Sequence, residues 1–196
     1  QELGLQDTHY INVTGLETEG SEEHYSSAYD VAIVAKELIE KHPKVLEYSG
    51  IWVDYLRGGR TMLANTNKLL KQYQYTTGLK TGTETNAGYC VVATAKKDDM
   101  DLIAVVLGAP DSQTRFDEAQ QLLEYGYSNF EVKDVAASGE VVGSMPVVKG
   151  EKEQVPVQVA NDLTVVIPKT YSDKIKKEST IEESRNAPIE QNAVVG

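Results

Sequence analysis

Apolar positions along the chain repeat with two different periods, and the change from one to the other marks the elements. In AYDVAIVAKELIEKHP, Val31, Val34, Ala35, Leu38 and Ile39 fall on one face of a helix, since residues three and four apart stack above one another. Ser27, with Asp30 three residues on, has the spacing of a capping box with aspartate in the Glu/Gln place. Lys41 and His42 suit the negative end of that helix, and Pro43 stops it. From Trp52 to Leu63 the pattern loosens around Arg57-Gly58-Gly59-Arg60, where two glycines between short apolar runs predict a hairpin turn. The polar loop NTNKLLKQYQYTT leads to Lys80-Thr81-Gly82. Two strands follow, Tyr89 to Ala95 and Leu102 to Leu107, joined by the turn Lys96-Lys97-Asp98-Asp99. Gly108-Ala109-Pro110 ends this meander, and Asp111 caps a helix carrying Phe116, Ala119, Leu122, Leu123 and Tyr127.

Beyond Glu131 the texture changes. GEVVGSMPVV, EQVPVQVA and DLTVVIP are short alternating runs separated by turn residues, the pattern of a small all-β unit. The two ends are also unusual. QELGL reads as the last turn of a helix that has no beginning, with Gly4 at its left-handed C-terminal position, and NAVVG reads as half a strand. Both predict a chain cut from a longer protein.

Composition narrows the function classes. Of 196 residues 40% are hydrophobic and 25% charged, which is ordinary globular composition. The net charge of -11 divides as -9 over residues 1–131 (11 basic, 20 acidic) and -2 over 132–196 (8 basic, 10 acidic). Such a balance argues against nucleic acid as a partner, because that affinity rests on neutralising phosphates with Lys and Arg. The single cysteine, Cys90, cannot form an internal disulfide and sits mid-strand as a small hydrophobe. No run of about 18 apolar residues is present to predict a membrane-spanning helix.

Lys80-Thr81-Gly82 is the one place where chemistry interrupts the meander. A lysine beside a strand edge supplies fixed positive charge, a threonine adds a hydroxyl, and a glycine lets another backbone approach. Together they suit an extended peptide ending in a carboxylate, held by β-augmentation along an open margin at residues 78–83, with Lys80, Thr81 and Thr83 meeting the anion. Three residues taken alone fit a solvated strand end equally well.

The surrounding sequence adds to the triplet. GLKTGTETNAGYCVVATAKKDDMDLIAVVLGA resembles the third conserved box and following strands of the penicillin-recognising serine enzymes, specifically the low-molecular-mass D-alanyl-D-alanine carboxypeptidases. Glu2-Leu3-Gly4-Leu5 with Thr8, His9 and Tyr10, then Asn12-Val13-Thr14-Gly15-Leu16 and YSSAYDVA, resemble that family's upstream segment. Leu63-Ala64-Asn65-Thr66-Asn67-Lys68-Leu69-Leu70 resembles its approach to the triplet, although some members carry arginine at the position of Thr66. The resemblance implies an α+β fold. Residues 1–131 would be the C-terminal part of a penicillin-binding, transpeptidase-like domain, an antiparallel sheet with flanking helices, and 132–196 a small, incomplete all-β domain.

It also implies a chemistry: a serine attacks the carbonyl of the penultimate D-alanine of a peptidoglycan stem peptide, D-alanine leaves, and water hydrolyses the acyl-enzyme, with β-lactams acylating the same serine. Lys80 and Thr83 would be catalytic, Lys80 in the charge network and the Thr83 N–H at the oxyanion. Thr81, Gly82 and Arg115 would bind substrate, although an arginine early in a helix is as readily solvated. No cofactor or metal is implied. The family's setting implies an extracytoplasmic location and, in many members, an amphipathic membrane anchor, which would lie beyond Gly196.

Part of the family pattern is missing. No serine here has lysine three positions on: Ser21 is followed by EEH, Ser112 by QTR and Ser172 by DKI. Ser184-Arg185-Asn186 has Ser-x-Asn spacing but lies downstream, where a loop coincidence explains it. The nucleophile is therefore expected in an N-terminal segment absent from this chain, and these residues alone are expected to be inactive. The rival reading is a non-catalytic cell-wall peptide-binding or scaffold protein that keeps the fold. A β-lactamase fits less well, because the appended β-rich unit is typical of the carboxypeptidases. His9, His24 and His42 are too scattered for a metal site, and Asp98, Asp99 and Asp101 lack the glycine and distal glutamate of a calcium loop. Tyr73 and Tyr75 fit either a cleft wall or strand packing.

Overall fold

The computed structural model describes residues 2–16 and 20–196, and the chain divides into two compact units, Gln1–Ser128 and Asn129–Gly196. In the first, helices α1 (Ala28–Lys41), α2 (Val45–Ser49) and α3 (Leu69–Gln72) precede a three-stranded antiparallel sheet of order β3 (Thr76–Glu84), β4 (Gly88–Lys97), β5 (Met100–Ala109). Helix α4 (Ser112–Asn129) follows. A separate hairpin, β1 (Val53–Leu56) with β2 (Thr61–Ala64), turns through Arg57, Gly58 and Gly59, all at positive φ. The strands read from the sequence as Tyr89 to Ala95 and Leu102 to Leu107 extend to ten residues each, β4 and β5, and the polar loop before the triplet holds α3 and the first residues of β3.

Alternation along β4 sets the core. Val91, Ala93 and Ala95 are buried and pair with Val106, Ala104 and Leu102 of β5, so these six side chains share one face. Gly126 of α4 lies on Leu102, and the Tyr127 hydroxyl donates to the Met100 carbonyl, so α4 covers that face. Small residues at 93, 95 and 104 leave room for Phe116, Ala119 and Leu123, which are buried. Leu122, expected on the same face, is 49% exposed; at position 122 the helix has rotated away from the sheet. Helix α1 packs on β4 and β5, and α2 and α3 on β3.

Caps and turns follow the chemistry of their residues. The Ser27 side chain accepts from the Asp30 N–H at the start of α1. The Asp30 carboxylate does not return to Ser27 as in a full capping box. It is buried and accepts from the Asp7 N–H and the Thr8 hydroxyl, both at 2.8 Å, tying the upstream segment to the helix. Asp111 Oδ1 accepts from the N–H groups of Gln113 and Thr114 at the start of α4. At the β3–β4 turn Gly88 has φ +65°, and a Cβ there would lie 2.9 Å from the Ala109 carbonyl oxygen, so only glycine fits.

The second unit contains an antiparallel pair, β6 (Phe130–Ala136) with β9 (Leu163–Pro168). It also contains a three-stranded sheet in which β7 (Val141–Val148) lies between β8 (Gln154–Gln158) and the two-residue β10 (Arg185–Asn186). Met145 is fully buried there. Arg185 and Asn186 of the Ser-x-Asn spacing are therefore strand residues paired with Val147 and Val148, not a loop. NAVVG forms no strand; the Val195 carbonyl accepts from the Glu182 N–H. At the other end Glu2 and Leu3 form a turn closed by Gly4 at φ +69°.

Candidate functional site

Among the described residues, strand β3 is an edge strand, paired with β4 on one side only. Its other margin is covered at the start: Ser49 Oγ lies against Gly78, Gly50 against the Thr77 carbonyl, and the Asn67 amide donates to the Gly78 carbonyl at 2.9 Å. The expected open margin of 78–83 is therefore shorter, because Gly78 is buried under α2 and the 65–67 loop. From Lys80 onward, no described strand pairs with this margin, and Lys80, Gly82 and Thr83 are exposed.

Lys80 stands opposite Val92, and Gly82 opposite Cys90. These four residues, with Thr81, line an open cavity of about 800 Å³. Its other wall is the segment from Tyr10 to Gly15 with His24. That wall is shaped by Asn12, whose Oδ1 accepts from the N–H groups of Thr14 and Gly15 and from the Thr14 hydroxyl. Tyr10 and His24 stack with ring centroids 4.9 Å apart, and His24 Nδ1 accepts from the Ile11 N–H. His24 is thus a cavity-wall residue, while His9 bonds the Glu23 carbonyl and His42 caps α1.

Each predicted residue has a defined place. The Lys80 ammonium donates to the Thr81 carbonyl. Thr81 is buried, with its hydroxyl 2.6 Å from that of Thr66. A Cβ on Gly82 would touch only Cys90 Cβ, at 3.9 Å, so this glycine answers no local packing demand and leaves the cavity wall flat. The Thr83 hydroxyl donates to the Gly82 carbonyl and accepts from Arg115 Nη1.

Arg115 is no solvated helix-start residue. It is 6% exposed, and Nη1 donates to the carbonyls of Gly82 (2.9 Å) and Cys90 (3.2 Å) as well as to Thr83. The guanidinium also lies over the rings of Tyr89 and Phe116. Burial lowers its pKa from the ordinary arginine value, which the neighbouring Cys90 and Tyr89 oppose. Arg115 reaches the site from beneath, through the backbone of β3 and β4.

Tyr73 and Tyr75 do not line this cavity. They pack edge to face, with Tyr75 near Tyr127 and Lys97 over both of those rings, so packing wins. Among the described residues no cluster of His, Cys, Asp and Glu is arranged to hold a metal ion, and the Asp101 carboxylate is paired with Lys96. The sequence reading passed over Asn65 and Asn67. Asn65 donates to the carbonyls of Ser49 and Ile51 and accepts from the Asn67 N–H, while buried Asn67 joins Gly78 to the start of α3. The signal was the Asn-x-Asn spacing beside a helix start, since asparagine side chains bond nearby backbone groups.

Comparison with known proteins covers both units. A family model for D-alanyl-D-alanine carboxypeptidase matches residues 1–111, and one for the penicillin-binding protein 5 C-terminal domain matches residues 130–196. The chain is 36% identical to D-alanyl-D-alanine carboxypeptidase DacF of Bacillus subtilis, over 100% of this chain and 50% of that protein. The fold is similar to penicillin binding protein 5 from Haemophilus influenzae, with TM-score 0.77 and 29% identity over 100% of this chain and 56% of that one. It is also similar to penicillin-binding protein D2 from Listeria monocytogenes in its cefotaxime-bound form, with TM-score 0.59 and 33% identity over 64% of this chain and 51% of that one. The chain spans about half the length of the curated relatives it matches.

Proposed function

From the premise that the chain belongs to the D-alanyl-D-alanine carboxypeptidase family, we propose that it carries one wall of a serine-type active site that trims peptidoglycan stem peptides. The observation that carries this reading is Lys80-Thr81-Gly82 on the uncovered stretch of an edge strand, facing a cavity of about 800 Å³. A peptide ending in D-Ala-D-Ala would add to that margin as a strand, its carboxylate meeting Lys80 and the hydroxyls of Thr81 and Thr83. The flat wall at Gly82 admits the peptide backbone. The Thr83 N–H would donate to the oxyanion, an interaction worth on the order of 3 kcal/mol in other enzymes. Arg115 would act on the carboxylate subsite through the Thr83 hydroxyl it holds.

The attacking serine is assigned to a Ser-x-x-Lys sequence outside these 196 residues, since no serine here has that spacing. The same serine would take up β-lactams, as the cefotaxime-bound relative illustrates for its own site. Residues 1–131 would belong to the catalytic domain and 132–196 to the β-rich domain beside it. Such a substrate would put the whole protein outside the cytoplasm, at the cell wall or the outer face of the cytoplasmic membrane; no helix among the described residues is long and apolar enough to cross a membrane.

The test is made on the full-length protein with a fluorescent penicillin and an acylated L-Lys-D-Ala-D-Ala tripeptide. A covalent adduct and release of free D-alanine are expected. Reversible tripeptide binding without adduct or release would replace the enzyme with the non-catalytic cell-wall peptide-binding protein.

A further inference from the structure

Strand β3 carries two opposite charges on one face. Successive strand residues alternate between faces, so Lys80, Gly82 and Glu84 share one, opposite Val92, Cys90 and Gly88 of β4. Lys80 and Gly82 line the cavity of about 800 Å³. Glu84 lies about 13 Å beyond Lys80 along the strand, at roughly 3.3 Å per residue. It is partly buried, and with Thr83, Asn86 and Tyr89 it lines a second cavity of about 520 Å³ at the β3–β4 turn. Its cross-strand neighbour Gly88 has no side chain, and no basic residue among the described residues forms an ion pair with its carboxylate. A carboxylate partly withdrawn from water gains from a counter-ion, and the described residues supply none.

We propose that Glu84 is a specificity residue that receives a cationic side chain two residues before the free carboxylate of the bound peptide, an inference that rests on the function proposed above. With that carboxylate at Lys80, the rest of the peptide runs toward Glu84, because the backbone before Lys80 is covered at Gly78. Two residues of extended chain span about 7 Å, and a four-carbon stem ending in an ammonium reaches roughly 6 Å further. Their sum matches the spacing of positions 80 and 84. Gly82, between them, leaves the wall flat for the two small residues that separate the peptide's charges. Sign gives the selectivity: a neutral side chain at that place leaves the Glu84 carboxylate unpaired, and an acidic one sets two like charges together. The substrate class is a peptide with a cationic residue directly before D-Ala-D-Ala.

The experiment compares two peptides on the full-length protein: Nα-acetyl-L-Lys-D-Ala-D-Ala, whose side-chain amine is free, and its Nα,Nε-diacetyl form, whose amine is capped. Wild type is expected to favour the free amine by about 5-fold in kcat/KM, carried by KM and shrinking at about 0.5 M salt, as befits a partly exposed charge pair. Glu84→Gln is expected to bring the ratio to about 1, and Glu84→Lys to invert it. Equal kcat/KM for the two peptides on wild type overturns the assignment, as does a preference that survives in Glu84→Gln. The wild-type comparison decides by itself if a variant does not fold. Either overturning result leaves the proposed enzyme standing when the penicillin adduct forms and D-alanine is released. A wild type that forms no adduct and releases no D-alanine overturns both.

Discussion

Gly82 and Arg115 act on the same short stretch of β3 from opposite faces. Gly82 needs no special backbone conformation and meets nothing but Cys90 Cβ, so a larger side chain there would project into the cavity without disturbing the sheet. Gly82→Leu is expected to leave Tm within about 2 °C and to slow penicillin acylation of the full-length protein by about 100-fold, because reacting groups tolerate little misplacement. A large fall in Tm would show that the glycine serves packing. Arg115 is the reverse case. Its removal leaves the Gly82 and Cys90 carbonyls and the Thr83 hydroxyl without this donor, and Arg115→Ala is expected to cost about 2–4 kcal/mol by chemical denaturation. Arg115→Lys should recover little of that loss, since an ammonium cannot lie flat over the Tyr89 and Phe116 rings as the planar guanidinium does. Full recovery would show that charge alone matters.

Helix α4 is the element that carries Arg115 to the sheet, and its first turn depends on Asp111. The Asp111 carboxyl is held below the ordinary carboxylate range, first by the Thr114 N–H, then by the Thr114 hydroxyl, with a smaller contribution from the Gln113 N–H. A lowered native pKa means that the stabilisation is complete above the unfolded value and disappears as pH falls through the native one. Asp111→Ala is therefore expected to lower Tm above the ordinary carboxylate range, with the gap from wild type closing as pH falls below that range. A gap independent of pH would assign the cap to something other than the ionised carboxylate.

For the molecule as a whole, the decisive feature is that the wall bearing Lys80 contains no nucleophile of its own pattern. Peptide mapping of the penicillin adduct on the full-length protein is expected to locate it on a serine followed by lysine three positions on, outside residues 1–196. An adduct on Ser26, Ser27 or any other serine of this chain would require a different mechanism. The assignment of the β-rich unit rests on the family model that matches residues 130–196.

The sequence by itself determined the elements that depend on neighbours in the chain. Helix α1 with its Ser27 cap, the Arg57–Arg60 turn, the β4–β5 meander and the Asp111 cap were all legible, because periodicity and capping act over a few residues. So was the Lys80-Thr81-Gly82 triplet as a departure from strand chemistry, and the resemblance supplied its context. Only the tertiary structure decided what those residues face. It buried Arg115 against carbonyls 25 and 33 positions away, turned Leu122 outward, placed His24 in the cavity wall and closed the margin at Gly78 with Asn67. Each of these depends on how separate elements pack against one another. Local patterning specifies which face a side chain occupies, whereas the partner it meets depends on how the elements pack.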